Sequence, residues 1–198
     1  MAKLVFIVFS ILIFNFQSSV IANDISEFEI EGMSIGDSLL EYMSVEEINN
    51  NIFTNYFKNG KKRNYYATGY FNTNTYDQIE IYLKKSDKNY KIISITGFKI
   101  KPKNCKNLKK KIVNEISELF NSIEPISYNN VPHTFDKSGK SIQHQTGFLF
   151  KDDPNKDQIR IECTYWSQEM KEKNQFNDTL GISVITTELL EWISSGYD

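Results

Sequence analysis

Two overlapping serine motifs are the first candidates for chemistry. Gly36-Asp37-Ser38-Leu39 spells the signature of one class of serine hydrolases, the esterases and lipases that carry it near the mature N-terminus. Gly32-Met33-Ser34-Ile35-Gly36 fits G-x-S-x-G, in which a tight strand-to-helix turn exposes a nucleophilic serine. A serine hydroxyl attacks a carbonyl only with a base to take its proton and donors to hold the oxyanion. The two histidines, His133 and His144, are preceded three residues earlier by Asn130 and Ser141, so neither stands in the Asp-x-x-His arrangement of that class. Asn177-Asp178 is the Asn-Asp pair in the body of the chain, and Gln175 stands where the oxyanion block needs glycine. A nucleophile elbow also follows several strands of its sheet, and little precedes Gly32 here. Glycines that permit a tight turn, with Asp37 or Ser38 capping a short helix, account for both motifs without catalysis. No catalytic residue is assigned, and a small esterase-like serine hydrolase using Ser38 or Ser34 is the competing reading.

Asp136-Lys137-Ser138-Gly139-Lys140-Ser141 ends like a phosphate-binding loop, but the full pattern needs glycine at position 134, which is Thr134. A flexible basic turn is the simpler account. His133 and His144 lack the paired spacing that grips a metal, so neither metal nor cofactor is expected. Tyr65, Tyr66, Tyr70, Phe71, Tyr76, Tyr82 and Tyr90 gather in one stretch. A face of exposed tyrosines would suit a glycan or peptide, while cross-strand packing explains the same residues. Tyr165-Trp166-Ser167-Gln168-Glu169-Met170 forms a second aromatic and polar cluster at a strand end, and Tyr165 and Trp166 are the candidate binding edge.

The beginning of the chain supplies an address. Lys3 precedes an almost unbroken apolar run, Leu4 to Phe16, followed by Gln17-Ser18-Ser19 and Val20-Ile21-Ala22. This is the order of a secretory signal peptide, with cleavage expected between Ala22 and Asn23. The run falls short of the roughly 20 apolar residues that span a bilayer, so no stable membrane insertion is expected after cleavage. Residues 23–198 then form one expected domain, periplasmic or secreted. The chain carries 23 Lys and Arg against 25 Asp and Glu, which argues against nucleic acid as a partner. Export also bears on Cys105 and Cys163, the two cysteines of the chain. In an oxidising compartment a lone pair is most simply a disulfide, with two buried thiols as the alternative.

These residues need elements to hold them. Phe28, Ile30 and Ile35 suggest a first extended segment, and Leu39 to Met43 a short helix. Ser44-Val45-Glu46-Glu47 is a capping box that starts a second helix through about Asn51. Alternation over Tyr65–Phe71, Gln78–Lys84 and Lys91–Ile100 predicts an antiparallel meander. Lys103 to Ile123 reads as one long amphipathic helix with Cys105, Leu108, Ile112, Ile116, Leu119 and Ile123 as its apolar stripe. The six lysines from Lys101 to Lys111 fit its solvated side, or a patch for anionic lipid or acidic polymer. A polar loop is expected from Ser127 to about Ser141. Strands over Thr146–Lys151, Gln158–Trp166 and Leu180–Thr187 and a last helix, Glu188–Ser194, complete the pattern. The expectation is an α+β fold: an antiparallel sheet of about six strands with one long amphipathic helix and short helices packed on it.

Three segments together carry a resemblance. Phe28 to Leu40, Asp136 to Ser141, and Cys163 to Met170 resemble a set of uncharacterised exported proteins from small-genome marine bacteria, over most of the mature chain. The resemblance implies a bacterial periplasmic protein and no particular activity. At the level of fold, the Gly32-Met33-Ser34 turn before two short helices and a meander is similar to the outer-membrane assembly lipoprotein and β-lactamase-inhibitor group, whose lipid-attachment cysteine this chain lacks. The resulting expectation is a non-enzymatic binding or interaction protein with an unknown protein, peptide or glycan as partner.

Overall fold

Alternating apolar residues build the middle of a sheet. Ile79, Ile81 and Leu83 on β2 (Gln78–Lys84) share a face with Ile95 on β3 (Ile92–Ile100), and all four are fully buried. Burying one such side chain contributes about 1.5–3 kcal/mol. The computed structural model describes residues 25–53, 64–71, 73–150 and 157–194. The apolar leader with its expected cleavage point, Ala22–Asn23, lies outside them, as does the Asp152–Asn155 turn.

The fold is α+β. The remaining strands are β1 (Tyr65–Phe71), β4 (Ile126–Pro132), β5 (Ile142–Leu149), β6 (Gln158–Tyr165) and β7 (Thr179–Ile185). They form one seven-stranded sheet in the order β1-β2-β3-β7-β6-β5-β4, antiparallel throughout. Helices α1 (Val45–Asn50), α2 (Cys105–Leu119), α3 (Gln168–Asn174) and α4 (Thr187–Ser194) complete it. One face, with Ile81, Ile95, Ile161 and Val184, packs into the main core together with Ile48 of α1 and Ile116 of α2. The other face is covered at one end, where Leu189 and Trp192 of α4 pack on Tyr65, Ala67 and Tyr82.

The seventh strand corrects the expected count of six. β4 lies where a polar loop was expected, and all its residues except Val131 are exposed. Its Asn129-Asn130 pair disfavours a strand, yet β5 supplies backbone partners along it. A register shift between Tyr128 and Val131, with Asn130 at φ 56, absorbs the misfit. The first extended segment is also absent: Ile25–Glu27 is a 3₁₀ turn, and Ile30 and Met33 form an isolated bridge. The expected helix at Leu39 is a 3₁₀ turn, Leu39–Glu41, whereas the capping box of Ser44 and Glu47 opens α1.

Helix α2 is shorter than the expected Lys103–Ile123 and turned differently. Cys105 is bonded to Cys163 of β6, with Cα atoms 5.9 Å apart, and Lys109 and Ile116, on the same side of the helix, are buried together with Phe120 just beyond its end. Leu108 and Leu119, expected in the stripe, are 42% and 53% exposed. Lys109 is only 9% exposed, and its ammonium donates to the Thr146 hydroxyl. Burial holds the Lys109 pKa below its ordinary value. At this site the native state therefore binds fewer protons than the unfolded chain, whose lysines titrate at about 10.4, and the Lys109 contribution to stability should rise with pH toward that value. Lys109→Met should raise the melting temperature at pH 7 by about 2–5 °C and remove that alkaline gain, as thermal melts from pH 7 to 10 would read. Thr146 keeps a partner in the Ser127 hydroxyl, 2.8 Å away.

Close packing also depends on Gly97, whose missing side chain makes room for the Tyr76 ring. Gly97→Ala should cost about 1–3 kcal/mol, measurable as a lower urea midpoint with an unchanged slope.

Candidate functional site

The end of the second sheet face that α4 leaves open is a trough of about 370 Å³. Its floor alternates polar and aromatic groups: Glu80 and Tyr82 from β2, Phe98 from β3, Thr179 from β7, and Glu162 and Thr164 from β6. Gly181 of β7 sits between Phe98 and Glu162 in the register and lets the Phe98 ring lie across it. The Glu162 carboxylate is oriented by amides, accepting from Gln143 Nε2 at 2.9 Å and Gln145 Nε2 at 3.1 Å.

An aromatic wall rises at one side from three connecting segments. Trp166 follows β6, His133 and Phe135 follow β4, and Phe176 follows α3. The His133 and Phe176 rings lie 4.2 and 4.5 Å from that of Trp166, and Phe135 meets it edge-on at 6.5 Å. Phe135 is 43% exposed, so the wall presents apolar surface to solvent. Trp166 is fixed through its backbone N–H, which donates to Asp178 Oδ1 at 2.9 Å, while Lys171 pairs with Asp178 Oδ2 at 2.9 Å. Gln175, at φ 57, turns the chain out of α3 toward Phe176.

Asp136 holds the wall together. Its Oδ1 accepts from the Ser138 N–H at 2.9 Å and the Ser138 hydroxyl at 2.7 Å. Its Oδ2 accepts from the Ser141 hydroxyl at 2.6 Å, the Ser141 N–H at 3.0 Å and the Ser167 hydroxyl at 3.0 Å. The Ser141 and Ser138 hydroxyls lead in holding this carboxyl well below the usual carboxylate range. The segment resembling a phosphate loop is thus a cross-tied turn: the donors that would cradle an anion are occupied by the chain's own carboxylate. Ser167 in turn accepts from the Met170 N–H and caps α3, a helix that alternation arguments did not anticipate.

The residues singled out from sequence separate in space. Trp166 lines the trough, whereas Tyr165 faces the opposite side, packed on the main core and edge-on to His144 at 5.8 Å. Ser38 stands at the start of its 3₁₀ turn, but its hydroxyl donates to the Asn89 carbonyl at 2.7 Å and makes no cap. The Ser34 hydroxyl donates to the Ser26 carbonyl at 2.9 Å and reaches that of Phe28 at 3.1 Å. His144 Nδ1 meets Asn129 Oδ1 at 3.2 Å, and His133 Nδ1 accepts the Phe135 N–H at 3.1 Å. Burial pushes the His133 pKa down, against the opposing pull of Glu162 and Asp136. Among the described residues, no cluster of three or more His, Cys, Asp or Glu is arranged to hold a metal. Glu162 and Thr164 carry no motif of their own, but they alternate with the inward Ile161, Cys163 and Tyr165 and so share Trp166's face. His133, Phe135 and Phe176 carry no such periodic signal, because loops bring them in.

Comparison with protein families, with curated proteins and with solved structures finds no match.

Proposed function

We propose that this chain is an exported, non-enzymatic binding domain whose trough receives a peptide segment of a partner in the periplasm or outside the cell. The observation that carries the reading is the pairing of an apolar wall, Trp166, Phe176 and Phe135, with the oxygens of Glu162 and Thr164 on the floor. An apolar side chain would pack against the wall while peptide N–H groups meet the remaining lone pairs of the oriented Glu162 carboxylate. The Cys105–Cys163 bridge supports an oxidising compartment. No helix among the described residues is long and apolar enough to cross a membrane.

The chain has two tryptophans. Trp192 belongs to α4 and is not among the residues that line the trough, so Trp192→Phe leaves Trp166 as the reporter. Arrayed peptides and glycans are screened with the labelled protein, and hits are titrated by Trp166 fluorescence. Peptide hits should weaken at least about tenfold in Phe135→Ser, a change at an exposed position that spares the fold. Hits unaffected by Phe135→Ser, or hits confined to glycans, would overturn the reading. A fluorophosphonate probe tests the competing hydrolase: labelling that disappears in Ser38→Ala or Ser34→Ala would make the protein an enzyme.

A further inference from the structure

Part of the apolar surface of α2 is left uncovered by the sheet. Leu108, Ile112 and Leu119 lie along one side of the helix, and Tyr76, Ile100 and Ile182 face them across a groove of about 650 Å³. From Leu108 to Leu119 the helical rise makes this line about 16 Å long. That is the reach of an extended acyl chain, and the volume lies within the range of small-ligand sites, about 300–1,000 Å³.

The charges along the groove are unequal in their commitments. Lys99 lines it, and Lys101 and Lys103 flank the lining residues Ile100 and Pro102. None of these three ammonium groups has an acidic partner within 4.0 Å among the described residues. The two carboxylates in the lining are engaged: Asp77 Oδ2 accepts the Ile100 N–H at 2.7 Å, and Glu115 pairs with Lys111 at 3.6 Å. An apolar slot with uncompensated positive charge at its rim suits a molecule with one apolar chain and one anionic head.

We infer that this groove binds a single-chain anionic amphiphile of the fatty-acid class, its chain along Leu108, Ile112 and Leu119 and its carboxylate at Lys99 with Lys101 and Lys103 nearby. The groove shares Ile100 with the trough but none of the residues on which the peptide reading rests, and it stands or falls independently of that reading. Laurate is the probe, titrated into the mature protein by calorimetry below its micellar concentration. Saturable one-to-one binding is expected, weakened at least about tenfold in Lys99→Gln/Lys101→Gln and again in Leu119→Gln. Both sets change positions at the groove's rim or on exposed surface, and unchanged melting curves would show that the fold is intact. Dodecyltrimethylammonium should bind at least about tenfold more weakly than laurate. Absence of saturable laurate binding, equal affinity for the cationic amphiphile, or indifference to the lysine pair would overturn the inference. So would binding to anionic phosphatidylglycerol vesicles without laurate binding, which would assign the face to a membrane surface. Dimerisation in sedimentation that Leu119→Gln abolishes, again without laurate binding, would assign it to a second copy of the chain.

Discussion

Replacing both Cys105 and Cys163 by alanine should lower the melting temperature by about 10 °C. The bridge joins residues 58 apart in sequence. Closing a loop of that length in the unfolded chain is worth about 4 kcal/mol of chain entropy. The native contribution comes in addition, because α2 is the connection between β3 and the edge strand β4, on the far side of the sheet. Without the bond to β6, the helix would rest on Ile116, Phe120 and the half-buried Ile112 and Val113, with a buried ammonium among them. Melts of the double variant and of wild type with and without reductant check the expectation, alongside intact mass after alkylation. A loss under about 3 °C, or two alkylated cysteines in the unreduced protein, would count against it.

Asp136→Asn should lower the melting temperature by about 5–10 °C and loosen the trough wall. The carboxylate accepts from five donors of Ser138, Ser141 and Ser167. An amide offers one acceptor oxygen in place of two, and its NH₂ group faces donors where it needs acceptors. One of the two backbone N–H groups, that of Ser138 on Oδ1 or that of the buried Ser141 on Oδ2, would lose its acceptor. The pH dependence follows from the same contacts. The native carboxyl titrates below its unfolded value of about 3.9, so its stabilisation is fully present above that pH. It is lost as the pH falls through the depressed native value, since the unfolded chain then binds the extra proton. Urea midpoints from pH 6 to pH 2 should fall steeply for wild type and less so for Asp136→Asn, the two curves converging in acid. Parallel curves would show that Asp136 is not the hub described above.

Both expectations rest on residues of different legibility. The pairing of Cys105 with Cys163 follows by elimination, because a chain with two cysteines leaves each a single possible partner within itself. Asp136 was visible only as part of a misleading Gly-Lys-Ser segment. Its role depends on Ser167, 31 residues away, and no local pattern connects them. The candidate site divides in the same way. Trp166 was legible as an aromatic at a strand end, and its face could be read from Glu162 and Thr164 by the alternation of β6. Tyr165 shows the risk of ignoring that alternation: adjacent residues on a strand point to opposite faces, and it belongs to the core side.

By itself the sequence determined the features that rest on short-range physics. The strands β2, β3 and β6 follow from apolar alternation, α1 from a reciprocal cap, and the α+β class from the order of these segments. Only the tertiary structure decided that an Asn-rich segment becomes the strand β4, that α2 turns Lys109 inward and Leu108 outward, and that His133, Phe135, Trp166 and Phe176 meet. The physical reason is common to all three. A neighbouring strand's backbone, packing of a helix on a distant sheet and a shared carboxylate each act between residues far apart in the chain, where local preferences do not reach.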